Sequence, residues 1–143
     1  MELEGKIWKD KKNWFVEVPS LDVMTQGKSR KDALNMICDA IIELVHCYFE
    51  SGIRKKFDVT LNDYHKGIVG IRANDNKLLL ALSLRRQREK SGSTVRQAAA
   101  RLGVKSLNAY AQYERGKIRI SLDQYEKLLK AANPLLHGFL RII

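Results

Sequence analysis

Three polar residues near the C-terminal end have the types and the spacing needed to read nucleic acid. Asn108, Gln112 and Arg115 lie in the stretch NAYAQYERGK, residues 108–117, and are four and three residues apart. In a helix this spacing brings them to one face. Side-chain amides can form two hydrogen bonds to the edge of adenine, and a guanidinium group can bind phosphate. The pattern therefore predicts a helix whose polar face contacts base edges and the nucleic-acid backbone.

The other side of this helix is predicted to be apolar. Ala109, Tyr110 and Tyr113 are spaced to form one stripe along it. Ser106 is predicted to cap its start, and Gly116 to end it. A stripe of this width indicates a helix that packs on a neighbour and leaves its polar face free.

Helix signals bracket this stretch on both sides. A helix with an apolar start and a basic end is predicted from Leu78 to Lys90. Thr94 and Gln97 match a capping box and predict the next helix, which Gly103 ends with a tight turn. A second capping box predicts a last helix, starting at residues 121–124. Two short helices joined by a glycine-containing turn predict a helix-turn-helix.

The basic residues are concentrated in the same half of the chain. The formal net charge is +10, yet residues 1–76 contain 12 Lys/Arg and 12 Asp/Glu, whereas residues 77–143 contain 14 and 4. A merely solvated basic surface would spread this excess along the chain. The asymmetry therefore favours double-stranded DNA or another polyanion as the partner of the second half.

A reading helix enters the major groove with its N-terminal part. The predicted base-contacting residues are therefore Ser106, Asn108 and Gln112. For each basic residue the alternative is a solvated helix face. The predicted phosphate-contacting residues, which include the cap of a helix N-terminus, are Thr94, Arg96, Arg101, Lys105, Arg115, Lys117 and Arg119.

The first half of the chain reads as an α+β module. A long amphipathic helix is predicted from the cap Ser29 towards Gly52. A sheet with one helix across a face would bury both apolar surfaces. The predicted strands are 6–8, 14–18, 21–26, 57–61 and 68–71.

This half shows no pattern typical of a catalytic site, a cofactor site or a metal site. The acids Asp10, Asp22, Asp39 and Asp58 have no converging spacing and are expected to be solvated. His46 and His65 have no Cys or His partner at ligand spacing. We therefore expect neither a metal nor a cofactor, and no enzyme activity.

The two cysteines are expected to be buried free thiols. Cys38 and Cys47 are nine residues apart in one predicted helix, a rise of about 13.5 Å that is too long for a disulfide. The first residues do not resemble a cleaved signal, and no apolar run approaches the ~18 residues of a membrane span. These features predict a cytoplasmic protein that does not enter a membrane.

Residues 18–34, VPSLDVMTQGKSRKDAL, resemble the N-terminal domain of the HicB-like antitoxins. The resemblance implies a degenerate ribonuclease-H-like βββαβ domain that binds a toxin. Many members carry Pro-Gly after the leucine, where this chain has Asp22 and Val23. The matching residues are Val16, Val18, Pro19, Leu21, Thr25, Gly27, Ser29, Ala33, Leu34 and Ala40.

Residues 84–129 are similar to the phage-repressor (Cro/XRE) class of helix-turn-helix domains, especially the variant fused behind HicB-like domains. The resemblance implies a structural ion pair between Arg88 and Glu114. The alternative for Arg88 is a phosphate contact. The matching residues are Ala99, Leu102, Gly103, Tyr113, Glu114, Arg115 and Gly116.

Together the two resemblances imply a toxin-binding domain at residues 1–74 and a DNA-binding and dimerisation domain at residues 75–143. Such a protein would be a type II antitoxin that neutralises a HicA-type mRNA-cleaving toxin and represses its own operon. A homodimer or higher homo-oligomer is expected, formed through the last helix and the apolar tail 135–143. The tail could instead fold back on Leu78–Leu82.

Two other functions remain open. One is a stand-alone transcriptional regulator whose first domain binds a ligand or only oligomerises. The other is a nuclease of ribonuclease-H type that depends on Asp10 or Asp22.

Overall fold

The N-terminal part of the chain forms an antiparallel sheet with one long helix. A computed structural model describes residues 1–49, 56–104, 106–136 and 140–141. The sheet order is β3-β2-β1-β5-β4, and all neighbouring strands are antiparallel. The predicted α+β class is confirmed, with two strands after the helix instead of the one in the βββαβ pattern. The elements are β1 (Glu2–Asp10), β2 (Asn13–Val18), β3 (Val23–Gly27), α1 (Arg30–Phe49), β4 (Val59–Asp63) and β5 (Ile68–Ala73).

One stripe of α1 packs on one face of this sheet. Its buried residues recur every four positions, at Ala33, Ile37, Ile41, Val45 and Phe49, as expected for a helix that covers a flat apolar surface. The predicted end of this helix at Gly52 lies outside the described residues. The strands contribute alternate buried side chains: Leu3, Ile7, Val16, Val18, Val69 and Ile71.

The junction between β3 and α1 explains several residues of the HicB-like pattern. The Thr25 hydroxyl donates to the Ala33 carbonyl (3.2 Å). A Cβ at Gly27 would lie 2.5 Å from the Ala33 nitrogen, so only glycine fits there. Ser29 accepts a hydrogen bond from the Asp32 N–H (3.0 Å) and so caps α1. These residue types are therefore required by the close packing of β3 on the start of α1.

Residue 21 belongs to a 3-10 turn, Pro19–Leu21, rather than to the predicted third strand, which begins at Val23. Asp22 ends the turn with φ 50°, in the left-handed region that glycine adopts most readily and that Asp tolerates.

A buried carboxylate joins β1 to the other edge of the sheet. Glu2 is 1% exposed and accepts hydrogen bonds from Tyr64 Oη (2.7 Å), Arg72 Nε (2.7 Å) and Asn62 Nδ2. Burial by itself disfavours the charged form, but these hydrogen bonds outweigh it and lower the pKa of Glu2. The charge is stabilised because several donors satisfy it.

A second ion pair joins the start of α1 to the end of β4. Arg30 donates to both carboxylate oxygens of Asp63, with 2.7 Å between Nη2 and Oδ1. The hydrogen bond from Arg30 lowers the pKa of Asp63 from its ordinary value of 3.8 to about 2. Because the folded pKa lies below the unfolded one, this pair stabilises the fold above pH 4, and the stabilisation is lost as the pH falls from about 4 to about 2.

We expect Asp63→Asn to lower the free energy of unfolding at pH 7 by about 1–2 kcal/mol, because it leaves Arg30 unpaired at a half-buried position. Thermal unfolding between pH 2 and pH 7 checks this. The melting curves of variant and wild type should converge near pH 2. Asp10→Asn, at an exposed position, is the control and should leave the whole profile unchanged. A constant difference down to pH 2 would contradict the electrostatic origin.

The second part of the chain is a bundle of four helices, α2 (Asn76–Lys90), α3 (Val95–Leu102), α4 (Leu107–Glu114) and α5 (Leu122–Ala132). Inside the bundle, Ser83 and Tyr125 share a hydrogen bond of 2.5 Å, and Asn133 donates to Gln87 (3.1 Å). Burial raises the pKa of Tyr125 to about 12. The apolar core consists of Leu80, Leu84, Ala98, Ala99, Tyr110, Tyr125, Leu128 and Leu129.

The chain divides into two compact units, residues 1–75 with 139–143 and residues 76–138. The predicted domains have a single boundary, after residue 74, with the whole tail in the second domain. In the structure Leu140 and Arg141 form a short strand, β6, that pairs with Leu3 and Glu2 of β1. The alternative in which the tail folds back on Leu78–Leu82 does not describe these two residues, and the predicted dimer contact of the tail stays a prediction.

The rest of the tail is only partly described. Leu136 packs against the core of the second unit, and Leu135 is 86% exposed. Residues 137–139, 142 and 143 lie outside the described residues. The backbone pairing of β6 is a long-range contact, which no local pattern in the tail announces.

The prediction of two buried thiols is wrong for Cys47, which is exposed; Cys38 is half-buried, and both are free. Cys47 follows the buried Val45 by two positions, which turns its side chain away from the sheet. Burial raises the pKa of the Cys38 thiol.

Within the described residues, the acids, histidines and cysteines do not gather in groups of three or more that could hold a metal. None of the helices described is both long enough and apolar enough to cross a lipid bilayer.

Candidate nucleic-acid interface

Helices α3 and α4 are joined by the turn that the sequence predicts. The Thr94 hydroxyl accepts from the Gln97 N–H (3.1 Å), and the Gln97 side chain accepts from the Thr94 N–H (2.9 Å). This capping box is as predicted. Gly103 ends α3 with φ 79°, in the left-handed region, and Ser106 caps α4 by accepting from the Asn108 N–H (3.2 Å). Local hydrogen bonds thus determine where both helices begin.

The two sides of α4 have opposite environments. Tyr110 is fully buried, and Glu114, one turn later, is 7% exposed. Asn108, Gln112 and Arg115 lie on the other side and are exposed. Because the buried side packs against α2 and α3, the three polar side chains form a continuous exposed edge.

The predicted apolar stripe of α4 needs one correction. Ala109 is exposed, whereas Tyr113 is half-buried and packs against the core of the second unit. The short side chain of Ala109 leaves room beside the polar edge without contributing to the core. The packed side of the helix therefore consists of Tyr110, Tyr113 and Glu114.

Arg88 and Glu114 form an ion pair that holds the end of α4 on α2. Arg88 Nε lies 2.8 Å from Glu114 Oε2, and Arg88 Nη2 lies 3.0 Å from Oε1. Their side chains are 14% and 8% exposed. Arg88 Nη1 also donates to the Ser93 carbonyl (3.1 Å). One guanidinium group therefore joins α2, the turn after it and the last turn of α4.

The pair also determines the electrostatics of the packed side. The hydrogen bond to Glu114 raises the pKa of Arg88. Burial, and after it the charge of Glu114, raises the pKa of Tyr110 above its usual value. Both shifts keep Arg88 charged and Tyr110 neutral at physiological pH, so this side of α4 carries a compensated charge pair.

Gly116 brings the chain after α4 close to α2. It has φ 71°, in the left-handed region, and a Cβ at this position would lie 2.7 Å from Leu78 Cδ2. Glycine therefore meets both a backbone and a packing requirement. With the Arg88–Glu114 pair, this contact holds the C-terminal end of α4 at two places.

Arg101 has an internal role that its sequence context does not predict. Its Nη1 donates to the Ser93 hydroxyl (2.7 Å) and to the Ala131 carbonyl near the end of α5 (3.0 Å). It thereby satisfies one of the carbonyl groups that a helix end leaves unpaired. Its predicted phosphate contact stays a prediction, now in competition with this structural role. No sequence pattern around Ser93 or Arg101 predicts the contact with Ala131, which is 30 residues further along the chain.

The remaining predicted phosphate contacts are at exposed positions. Thr94 and Arg96 are at the start of α3, and Arg115, Lys117 and Arg119 follow the polar edge of α4. Lys105, in the turn between the two helices, lies outside the described residues. Ser106 is exposed at the start of α4 and forms its cap. Exposed basic residues thus flank the polar edge on its C-terminal side and at the start of α3.

The last helix, α5, also contacts α4. Its predicted capping box is present, with the Ser121 hydroxyl accepting from the Gln124 N–H (3.2 Å). The Gln124 amide also donates to the Tyr113 hydroxyl (3.5 Å). Buried Tyr125 and Leu128 place α5 in the same core as Tyr110. The polar edge of α4 is therefore carried by a helix packed on the other helices of the bundle.

Residues 79–133 match the family of helix-turn-helix domains. The match begins inside α2, ends just after α5 and includes none of residues 1–75. No curated protein and no solved structure matches the chain. The second unit therefore contains a helix-turn-helix domain, which suggests a DNA-binding regulator.

Proposed function

We propose that the protein is a HicB-like antitoxin that binds and masks a HicA-type mRNA-cleaving toxin with its first unit and represses its own operon with its second. The observation that carries the DNA-binding half is the exposed edge of Asn108, Gln112 and Arg115 on α4 of a helix-turn-helix domain. In this proposal α4 lies in the major groove, and Ser106, Asn108 and Gln112 face the bases.

The basic residues around this edge are proposed to contact phosphates. They are Arg96 at the start of α3, where the helix dipole also favours an anion, and Arg115, Lys117 and Arg119 after α4. If six phosphates are neutralised per subunit, the logarithm of affinity should fall against the logarithm of salt concentration with a slope of about −5.

We expect binding of the full chain to the DNA upstream of its own gene to show this salt dependence in a fluorescence-anisotropy titration. Arg96→Gln with Arg119→Gln should make the slope shallower by about 2, since two ion contacts are removed. Lys127→Gln on α5, which is also exposed, is the matched control. Binding without salt dependence would overturn the DNA half of the proposal.

A two-fold dimer would place two α4 helices in paired half-sites about 34–36 Å apart. We propose that α5 and the residues after it contribute to this dimer. Leu122 and Leu135, 54% and 86% exposed, support an apolar contact there. Analytical ultracentrifugation of wild type and Leu122→Ser would test it, and an unchanged dimer in the variant would place the contact elsewhere.

The toxin-binding half rests on the HicB-like pattern in residues 18–34. Support comes from the β3–α1 junction, where Thr25, Gly27 and Ser29 each make the specific contact that their residue type allows. We propose that this unit has the degenerate ribonuclease-H-like fold of that family and inhibits the toxin by steric occlusion. Catalysis then belongs to the partner, and this chain acts in the cytoplasm without enzyme activity, metal or cofactor.

Co-expression with the product of the neighbouring gene tests the toxin-binding half. We expect that product to inhibit growth when it is expressed alone, and this chain to restore growth and to co-purify with it. If there is neither toxicity nor co-purification, the antitoxin assignment fails.

A second candidate function is a stand-alone regulator whose first unit binds a ligand or only oligomerises. It is favoured by the extent of the family match, which covers residues 79–133 alone. In that case operator binding and its salt dependence would remain, while the neighbouring gene product would neither inhibit growth nor bind.

A further inference from the structure

The sheet of the first unit has a second face, opposite α1, on which aromatic rings are exposed. Residues alternate between the two faces of a strand, so Trp8 and Phe15 point away from the side of Ile7 and Val16. They are directly paired across β1 and β2. Their rings are stacked, with 5.6 Å between centroids and 14° between planes. We refer to the face that carries Trp8 and Phe15 as the outer face.

This ring pair is accessible. Trp8 is 37% exposed, and Met24 on the neighbouring part of the same face is 58% exposed. Cross-strand aromatic pairs also stabilise a hairpin. The exposed part of the Trp8 indole remains available to another planar group.

The turn between β1 and β2, beside the ring pair, is basic. Lys11 and Lys12 are exposed there, next to one acid, Asp10. Lys6 is offset by Glu17 across the strands, and Lys9 lies on the opposite face. A partner that stacks on the rings and reaches this turn should therefore be planar and carry negative charge.

We propose that the outer face binds single-stranded nucleic acid, with a base stacked on the Trp8–Phe15 pair and the adjoining backbone phosphate at Lys11 and Lys12 in the turn. Exposed rings on neighbouring strands of an antiparallel sheet are a common way to bind unpaired bases. Stacking is tolerant of sequence because every base has a flat face. A duplex keeps its bases stacked inside and cannot present one to the pair, so this surface discriminates against double-stranded DNA.

The chain offers a direct reporter for this contact, because Trp8 and Trp14 are its only tryptophans. Trp14 is on the other side of the β1–β2 hairpin, where Lys9 Nζ lies 5.9 Å from its ring centroid. In the full-length Trp14→Leu protein, Trp8 is the sole indole fluorophore. We expect a 12-nucleotide RNA of mixed sequence to quench it in a saturable way, and the blunt DNA duplex of the same sequence to leave it unchanged at equal concentration.

Affinity measured by anisotropy of the labelled RNA gives the second readout. Trp8→Leu, which keeps an apolar side chain without a ring, should weaken RNA binding about tenfold. Trp8→Tyr, which keeps a ring, should stay within about threefold of wild type. Trp14→Leu is the matched control for the opposite face and should bind RNA like wild type. Binding of the operator duplex should be equal in all four proteins.

Three results would overturn the proposal: equal RNA affinity of Trp8→Leu and wild type, absence of quenching in Trp14→Leu, or loss of RNA binding through Arg96→Gln with Arg119→Gln. The last would assign the RNA to the second unit. Loss of toxin binding in Trp8→Leu without any RNA binding would make the outer face a protein-docking surface instead. If thermal unfolding shows that Trp8→Leu is not folded, the double variant Lys11→Gln with Lys12→Gln replaces it. This variant should make the salt slope of RNA binding shallower. An unchanged slope would count against the proposal.

Discussion

Glu114→Ala is expected to lower the free energy of unfolding of the second unit by about 3–5 kcal/mol, because it leaves the guanidinium of Arg88 charged and unpaired at a buried position. Arg88 is 14% and Glu114 8% exposed, and hydrogen bonds of 2.8 and 3.0 Å join them. Chemical denaturation of the full chain, followed by circular dichroism at the helix band, measures the change. Operator binding should be lost in parallel, since α4 loses its attachment to α2.

The control for this prediction is another ion pair of the same unit. Lys130 and Glu126 are 3.1 Å apart on α5, but their side chains are 69% and 67% exposed. Glu126→Ala should therefore cost no more than about 0.5 kcal/mol. The double variant Arg88→Met with Glu114→Leu should be more stable than Glu114→Ala, because it removes both buried charges together. Equal costs for Glu114→Ala and Glu126→Ala would show that burial does not determine the strength of the pair.

Asn108→Ala with Gln112→Ala is expected to relax sequence preference more than it weakens DNA binding. Each lost pair of amide hydrogen bonds to adenine should reduce discrimination by about 1–3 kcal/mol. Both residues are exposed on α4, opposite Tyr110, so the fold should be unaffected. Competition binding between the operator and a shuffled duplex of equal length measures the change. The salt slope should remain that of the wild type, since no charge is removed.

Arg115→Gln provides the contrasting variant on the same edge. It removes a charge and should weaken operator and shuffled duplex alike, with a salt slope shallower by about 1. If the double variant Asn108→Ala with Gln112→Ala instead loses the same affinity for every duplex, the reading surface lies elsewhere. These two patterns separate base recognition from phosphate contact at neighbouring positions of one helix.

The two halves of the proposed function can fail separately. Operator binding depends on the second unit, and growth rescue depends on the first. Single-stranded RNA binding at Trp8 is measured separately from operator binding, because neither the operator duplex nor the α4 edge takes part in it. RNA binding without growth rescue would support the outer-face proposal and count against the antitoxin assignment.

Local features of this protein were predictable from its sequence. The capping boxes at Thr94 and Ser121 and the turn at Gly103 depend on hydrogen bonds and backbone angles within a few residues. The buried stripe of α1 follows from a four-residue repeat of apolar side chains. The concentration of positive charge in residues 77–143 is a matter of composition alone.

Other features were decided only by the tertiary structure, because they depend on residues far apart in the chain. The bond of Arg101 to the Ala131 carbonyl and the pairing of β6 with β1 join segments about 30 and more than 130 residues apart. The exposure of Ala109 follows from how α4 packs, and the Trp8–Phe15 stack from the register of β1 and β2. Local sequence patterns determine which helices and strands form. Which of their surfaces pack together depends on how apolar side chains from distant parts of the chain are buried against one another.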